Sequence, residues 1–253
     1  MNARAAAWPG SAHELEAEQR RLATLRPKPW TWVGPARVGG TFVAFSTSGS
    51  EVPVERSWAV AVVVEPGAEA GPPDRAVAVA EVTEPYRAGY LALREGSLLE
   101  AAARALARRP DVLLVNATGR DHPRRAGLAL HLGAVLDLPT VGVTDRPLLA
   151  GGPMPGDERG CSEPLRLGDV VVGFRVRTRR GVRPVCAHAG FRTDPATARD
   201  VLLASTRGTR TPEPLRQARF LARSARARDE GRTPPGWTQD RSSRVTLPPV
   251  RRA

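Results

Sequence analysis

The middle of the chain gathers carboxylates, imidazoles and guanidinium groups at close spacing: Arg94-Glu95, Asp121-His122-Pro123-Arg124, His131 and Asp145. These are the types that phosphodiester hydrolysis draws on. A divalent cation activates the attacking water and offsets charge building on the phosphate oxygens. Magnesium in turn demands hard oxygen ligands, chiefly carboxylates. Each residue also has a plainer reading. Asp121 suits a solvated loop residue capping the next segment, and Asp145 a turn cap before Arg146-Pro147. His122 beside Pro123 suits a donor that orders a loop, and His131 falls on an apolar helix face where a buried structural histidine is common. Sequence spacing alone does not say which of these side chains meet.

The elements that must position them follow from hydrophobic period and punctuation. Ser11-Ala12-His13-Glu14 is a capping-box pattern that opens a helix reaching to about Leu25. Pro27, Pro29 and Pro35 then hold a connector extended. Val38 to Phe45, Trp58 to Val64 and Arg75 to Val82 are valine-rich runs broken by Gly, Pro and Ser, which predicts an antiparallel meander. From Gly89 to Ala107 the period becomes helical, carried by Leu91, Leu98, Leu99, Ala102 and Leu106. A strand over Asp111–Val115, a helix over Arg124–Leu136 and a strand over Thr140–Val143 complete a parallel half-sheet. Val170–Arg177 and Val182–Ala187 predict a hairpin around Arg180-Gly181, followed by helices over Pro195–Ala204 and Glu213–Arg228. The expected fold is therefore α/β, a ribonuclease-H-like mixed sheet flanked by helices. In such a fold metal-binding carboxylates stand on the first strand, on a helix after the third strand, and at the end of the fourth. The predicted organisation is a flexible N-terminus over 1–11, one domain over 12–228, and a disordered Arg/Pro-rich tail over 229–253.

Bulk properties narrow the class. With 253 residues and 41% hydrophobic content the chain is long enough for a proper core. No apolar run is long enough to cross a bilayer, and the N-terminus shows no basic region followed by an apolar one. Cys161 and Cys186 form no C-x-x-C pair, so reduced thiols and a cytoplasmic location are expected. A net charge of +12 favours a polyanionic partner, although Lys28 is the only lysine and the arginine excess also suits a biased genome.

Four longer motifs, in consistent order, resemble the endonuclease V family. Pro85-Tyr86-Arg87-Ala88-Gly89-Tyr90-Leu91-Ala92-Leu93-Arg94-Glu95-Gly96 is similar to its PY-x-x-G-x-L-x-x-RE-G pattern. Gly119 through Gly133 is similar to its G-x-x-HPR-x-x-G-x-A-x-H-x-G pattern, Pro139-Thr140-Val141-Gly142-Val143 to its PT-x-GV strand, and Pro212 through Ala218 to its PEP-x-R-x-A helix start. Several motifs in register are far more specific than one short match. The resemblance implies a Mg²⁺-dependent, inosine-directed DNA-repair endonuclease cutting 3′ to deaminated bases, with DNA ahead of RNA as partner and a monomeric state. It implies Glu95 as a catalytic metal ligand and His122 as a catalytic histidine. It further implies Tyr86 in a strand-prying wedge, and Arg94, Arg124 and His131 on the phosphate side.

The departures fall on the metal positions. The resemblance puts aspartates where Phe42 and Asn116 stand, lysine where Asp145 stands, and histidine where Phe191 stands. A phenyl ring cannot ligate a hard cation, and Asn116 is a degenerate ligand at best. The expected protein is a nucleic-acid-binding pseudoenzyme with magnesium binding weak or lost. The alternative is an active nuclease with a displaced metal site made by Glu95, Asp121 and Asp145 beside Asn116.

Overall fold

The computed structural model describes residues 8–32, 36–46, 54–64, 74–234 and 236. Helix α1 spans Ala12–Thr24, capped by the Ser11 hydroxyl accepting from Glu14 N at 3.3 Å. The Glu14 carboxylate reaches back to Gly10 N at 2.9 Å, so the capping box closes one residue earlier than the pattern predicts. The strands β1 (Val38–Phe45), β2 (Glu55–Val64) and β3 (Asp74–Val82) form the expected meander. Then come α2 (Leu91–Arg104), β4 (Val112–Val115), α3 (Leu128–Leu136) and β5 (Thr140–Thr144). The chain continues through β6 (Ser162–Leu167), β7 (Val170–Val176), β8 (Val185–Ala189), α4 (Pro195–Ala204) and α5 (Glu213–Asp229).

These strands make one eight-stranded mixed sheet in the order β3-β2-β1-β4-β5-β8-β7-β6. Strands β1, β4 and β5 are parallel and their neighbours on either side are antiparallel, as the ribonuclease-H-like expectation requires. Side chains alternate across the pleat. Leu113 and Val115 join the core under α1, α2 and α3, while Val112 and Leu114 join the core under α4 and α5. No described helix is long and apolar enough to cross a membrane. Cys161 and Cys186 are both free thiols.

Three differences from the sequence reading have physical reasons. Strand β6 was not expected, because Glu163, Pro164 and Arg166 mask an edge strand whose one fully buried side chain is Leu165. Helix α3 begins at Leu128 rather than Arg124. Arg125 is left-handed at φ 57, and Gly127 lies so close to the Thr118 carbonyl that an added Cβ would fall 2.4 Å from it. The expected N-terminal boundary at residue 12 leaves out Trp8, whose indole packs against Gly96 on α2 and stacks on His131 at 4.4 Å between ring centres. Residues 1–7, 235 and 237–253, including most of the expected tail, lie outside the described residues.

Register fixes where the functional edge falls. Thr41 pairs with Val115, and Val115 pairs with Gly142. The next residues, Phe42, Asn116 and Val143, therefore stand level where the parallel pairing stops: β4 ends there, while β1 runs on to Phe45 and β5 to Thr144. Backbone contact then pins the loop after β4. A Cβ on Gly119 would fall 2.0 Å from the Ala189 carbonyl oxygen, so only glycine allows that approach.

Candidate active site

Tyr86 sits in the loop from Glu84 to Tyr90, between β3 and α2, and is 72% exposed. It projects because its neighbours are held. Tyr90 lies between two guanidinium groups, with Arg87 3.5 Å and Arg124 4.7 Å from its ring centre. Its hydroxyl also donates to Glu16 on α1. Gly89 takes a left-handed turn at φ 82, and its carbonyl receives His122 Nε2 at 3.1 Å and Arg124 Nη2 at 2.8 Å. His122 and Arg124 thus brace the loop that carries Tyr86.

His122 is 2% exposed, so no phosphate reaches it without rearrangement. Its Nδ1 accepts from Arg124 N at 3.2 Å while Nε2 donates to Gly89, which is the neutral ring. Burial holds its pKa down at about 4. The Arg124 guanidinium donates to Gln19 Oε1 at 2.6 Å as well. Arg94 is equally engaged, paired with Glu55 and the Glu84 carbonyl and lying 3.9 Å over the Phe45 ring. His131 is fully buried under Trp8. Of the residues expected at nucleic acid, Tyr86 alone is broadly exposed.

Glu95 lies on α2 beside Arg94. Burial pushes its carboxyl up to about 7, with the Arg94 charge pulling the other way. The residues expected to join it are elsewhere. Asp121 is fully buried, and its carboxylate accepts from Leu148 N at 2.7 Å, Leu149 N at 2.9 Å and Ala150 N at 2.8 Å. Asp145 is exposed and paired with Arg210 at 2.6 Å. Asn116 is exposed at the end of β4, and Phe42 packs with Ala218 and Leu221 of α5. Among the described residues no three acidic, histidine or cysteine side chains come together in a way that could hold a metal ion. The displaced site of Glu95, Asp121 and Asp145 is therefore not assembled. Two apolar or neutral side chains, one glutamate and two otherwise engaged aspartates do not fit magnesium.

Two residues that the sequence reading did not single out complete the edge. Arg219 of α5 stacks on Phe42, its guanidinium carbon 5.1 Å from the ring centre. Its periodicity was the available signal, since Arg216, Arg219, Arg223 and Arg226 follow one helical stripe. His188 of β8 is fully buried, with Nε2 2.7 Å from Thr144 Oγ1 and Nδ1 3.7 Å from Asp121 Oδ2. Thr144 gives its hydroxyl proton to the Arg146 carbonyl at 2.6 Å, so the hydrogen between Thr144 and His188 belongs to Nε2. Burial holds His188 down at about 4, against the pull of Asp121.

These shifts predict a pH profile. His122 and His188 stay neutral in the fold, so stability is full above their ordinary pKa near 6.5 and falls as pH drops towards 4. Glu95 acts in the opposite sense: its contribution is full below 4.5 and lost as pH rises through 7. Glu95→Gln is therefore expected to be more stable than wild type at alkaline pH and to lose stability more steeply in acid. Urea midpoints across the pH range check this; parallel curves for the two proteins would refute it.

Comparison with known proteins agrees with the geometry. Residues 22–220 match the family described as Endonuclease V. An Endonuclease V of Streptomyces avermitilis is 38% identical over 223 residues, covering 87% of this chain and 94% of that protein. A crystal structure of the Streptomyces avermitilis enzyme matches with TM-score 0.74 at 36% identity, over 88% of this chain and 96% of that one. An Endonuclease V of Ciona intestinalis, crystallised in complex with a 24mer DNA containing an inosine followed by a ribo-adenosine, matches with TM-score 0.66. Its identity is 22%, over 86% of this chain and 98% of that one. From motif order, sheet topology and these likenesses together, the chain belongs to the endonuclease V family.

Proposed function

We propose that this protein is a nucleic-acid-binding member of the endonuclease V family in which metal-dependent strand cleavage is lost or strongly reduced. The observation that carries the reading is the edge where β4 ends beside β1: Phe42 and Asn116 stand level there, at positions where the resemblance puts aspartates. Glu95 is left as one carboxylate, its pKa raised to about 7 by burial against the pull of Arg94. A hard divalent ion needs several charged oxygens. Each 1.4 kcal/mol of lost transition-state stabilisation costs about tenfold in rate, so losing two ligand charges removes several orders of magnitude.

The retained parts support strand engagement. Tyr86 is presented on a braced loop, as a residue that stacks on or parts bases should be. The chain carries a net charge of +12. The Ciona relative of the same fold is seen with inosine-containing DNA, which favours DNA and a deaminated base as the ligand here.

The test is a nicking assay on an inosine-containing duplex, with magnesium and then manganese, beside a Glu95→Ala control. Wild type and control are expected to cleave alike, at or near background, while a gel-shift shows binding that weakens with salt. Robust nicking above the control would overturn the reading.

A further inference from the structure

We infer that Arg219, laid over the Phe42 ring, is a fixed cation that binds a nucleic-acid phosphodiester beside Phe42 of β1 and Asn116 at the end of β4, without a divalent ion. The inference rests on the reading of this protein as a nucleic-acid binder and names how that site takes its ligand.

The placement comes first. Phe42 follows the Thr41–Val115 pair and so stands level with Asn116, at the edge where the parallel pairing of β1 and β4 stops. Helix α5 crosses this edge because Gly40 lets its first turn lie directly on β1, where a Cβ would fall 2.4 Å from the Pro214 carbonyl carbon. One turn later Arg219 reaches the ring face, 5.1 Å from its centre. An aromatic face attracts a guanidinium and leaves its N–H fork free to point outward along the ring plane.

The charge balance comes second. Arg219 Nε is buried and has no hydrogen-bond partner among the described residues. Burial is the main influence disfavouring its charge, and Arg223 adds to it. The acid that acts on it, Asp145, is already held by Arg210 at 2.6 Å. A guanidinium stays protonated in such a place, so this is a partly desolvated cation short of an anion. That condition is unfavourable in isolation and is relieved when a phosphate arrives, because the fork matches two phosphate oxygens at once. Asn116, exposed alongside, can donate its amide to a third oxygen, and Arg223 lies exposed one turn further along α5. The same edge that holds an ion poorly is thus built to hold an anion directly.

The test is fluorescence anisotropy with the full chain and a labelled inosine-containing DNA duplex. Binding is measured in EDTA and in Mg²⁺ at matched ionic strength. Wild type is expected to bind within about twofold under the two conditions. Arg219→Ala should weaken binding by about tenfold and lower the slope of log affinity against log salt by about 1. Arg219→Lys, which keeps the charge but not the fork, should fall between them. Arg199→Ala, on α4 and paired with Asp200, removes the same charge elsewhere and should bind like wild type. If Arg219→Ala does not fold, Arg219→Gln carries the same expectation. Wild-type binding abolished by EDTA, Arg219 variants that bind like wild type, or an equal loss in Arg199→Ala would each overturn the inference and leave nucleic-acid binding standing. A wild-type chain that retains no oligonucleotide in either condition would overturn both.

Discussion

Asp121→Ala should lower stability by about 3–5 kcal/mol, since it strips the acceptor from three main-chain amides at a fully buried position. Each orphaned donor costs about 1–3 kcal/mol when water cannot reach it. Ala150 is buried, whereas Leu148 and Leu149 are exposed enough to recover part of their loss to solvent. Asp121→Asn should be milder, at about 1–3 kcal/mol. Its carbonyl oxygen can keep the Leu149 and Ala150 amides, which share Oδ1, while its NH2 faces the Leu148 N–H that Oδ2 served. Urea unfolding reads the series directly. An alanine variant within about 1 kcal/mol of wild type would mean that water replaces the carboxylate. The carboxylate would then be open to another role.

Placing aspartates at positions 42 and 116, as the resemblance suggests, is expected to fail to build a metal site unless Arg219 is removed as well. A carboxylate at position 42 would sit under a guanidinium that now lies over the ring there, and would pair with it. The fixed positive charge also repels an incoming divalent ion, by several kcal/mol at an effective dielectric near 20. Calorimetry with Mn²⁺ should therefore show negligible binding to wild type and weak binding to Phe42→Asp/Asn116→Asp. Adding Arg219→Ala should tighten it by about a hundredfold, or about 2.7 kcal/mol. Equal affinity with and without Arg219 would refute the competition. Tight binding to wild type would refute the incompatibility of the site with the metal.

The difference between what was legible and what was not follows from range. Strands β1, β4 and β5 and helices α2 and α4 could be read because valine runs and helical leucine spacing are local signals. The neighbourhood of Phe42 and Asn116 could be anticipated from the order of strands, since adjacent parallel strands in register bring such residues level. Arg219 could not, because its partner lies far away in sequence and depends on how α5 crosses β1. The fate of Asp121 was hidden for a similar reason. An acid beside His122 reads as a solvated loop residue, yet the turn over Leu148–Ala150 folds across it and takes both oxygens. His122 and Arg124 belong to a motif that suggested phosphate, and the structure shows both directed at Gly89. Type and spacing name the chemistry a residue can do; its hydrogen-bond partners decide what it does.

Strand β6 ends the sheet, its outer edge met by Gly151, which bonds Arg166 in both directions at 2.9 and 2.8 Å, and its composition has a colloidal consequence. Pro164 has no amide to offer an incoming strand, and the register shift between Leu165 and Arg166 interrupts the row of donors and acceptors. Glu163 and Arg166 add charge that would have to be dehydrated against a stacking neighbour. The border that was hardest to recognise as a strand is thereby a poor template for filament growth, for the same reasons that it was hard to recognise.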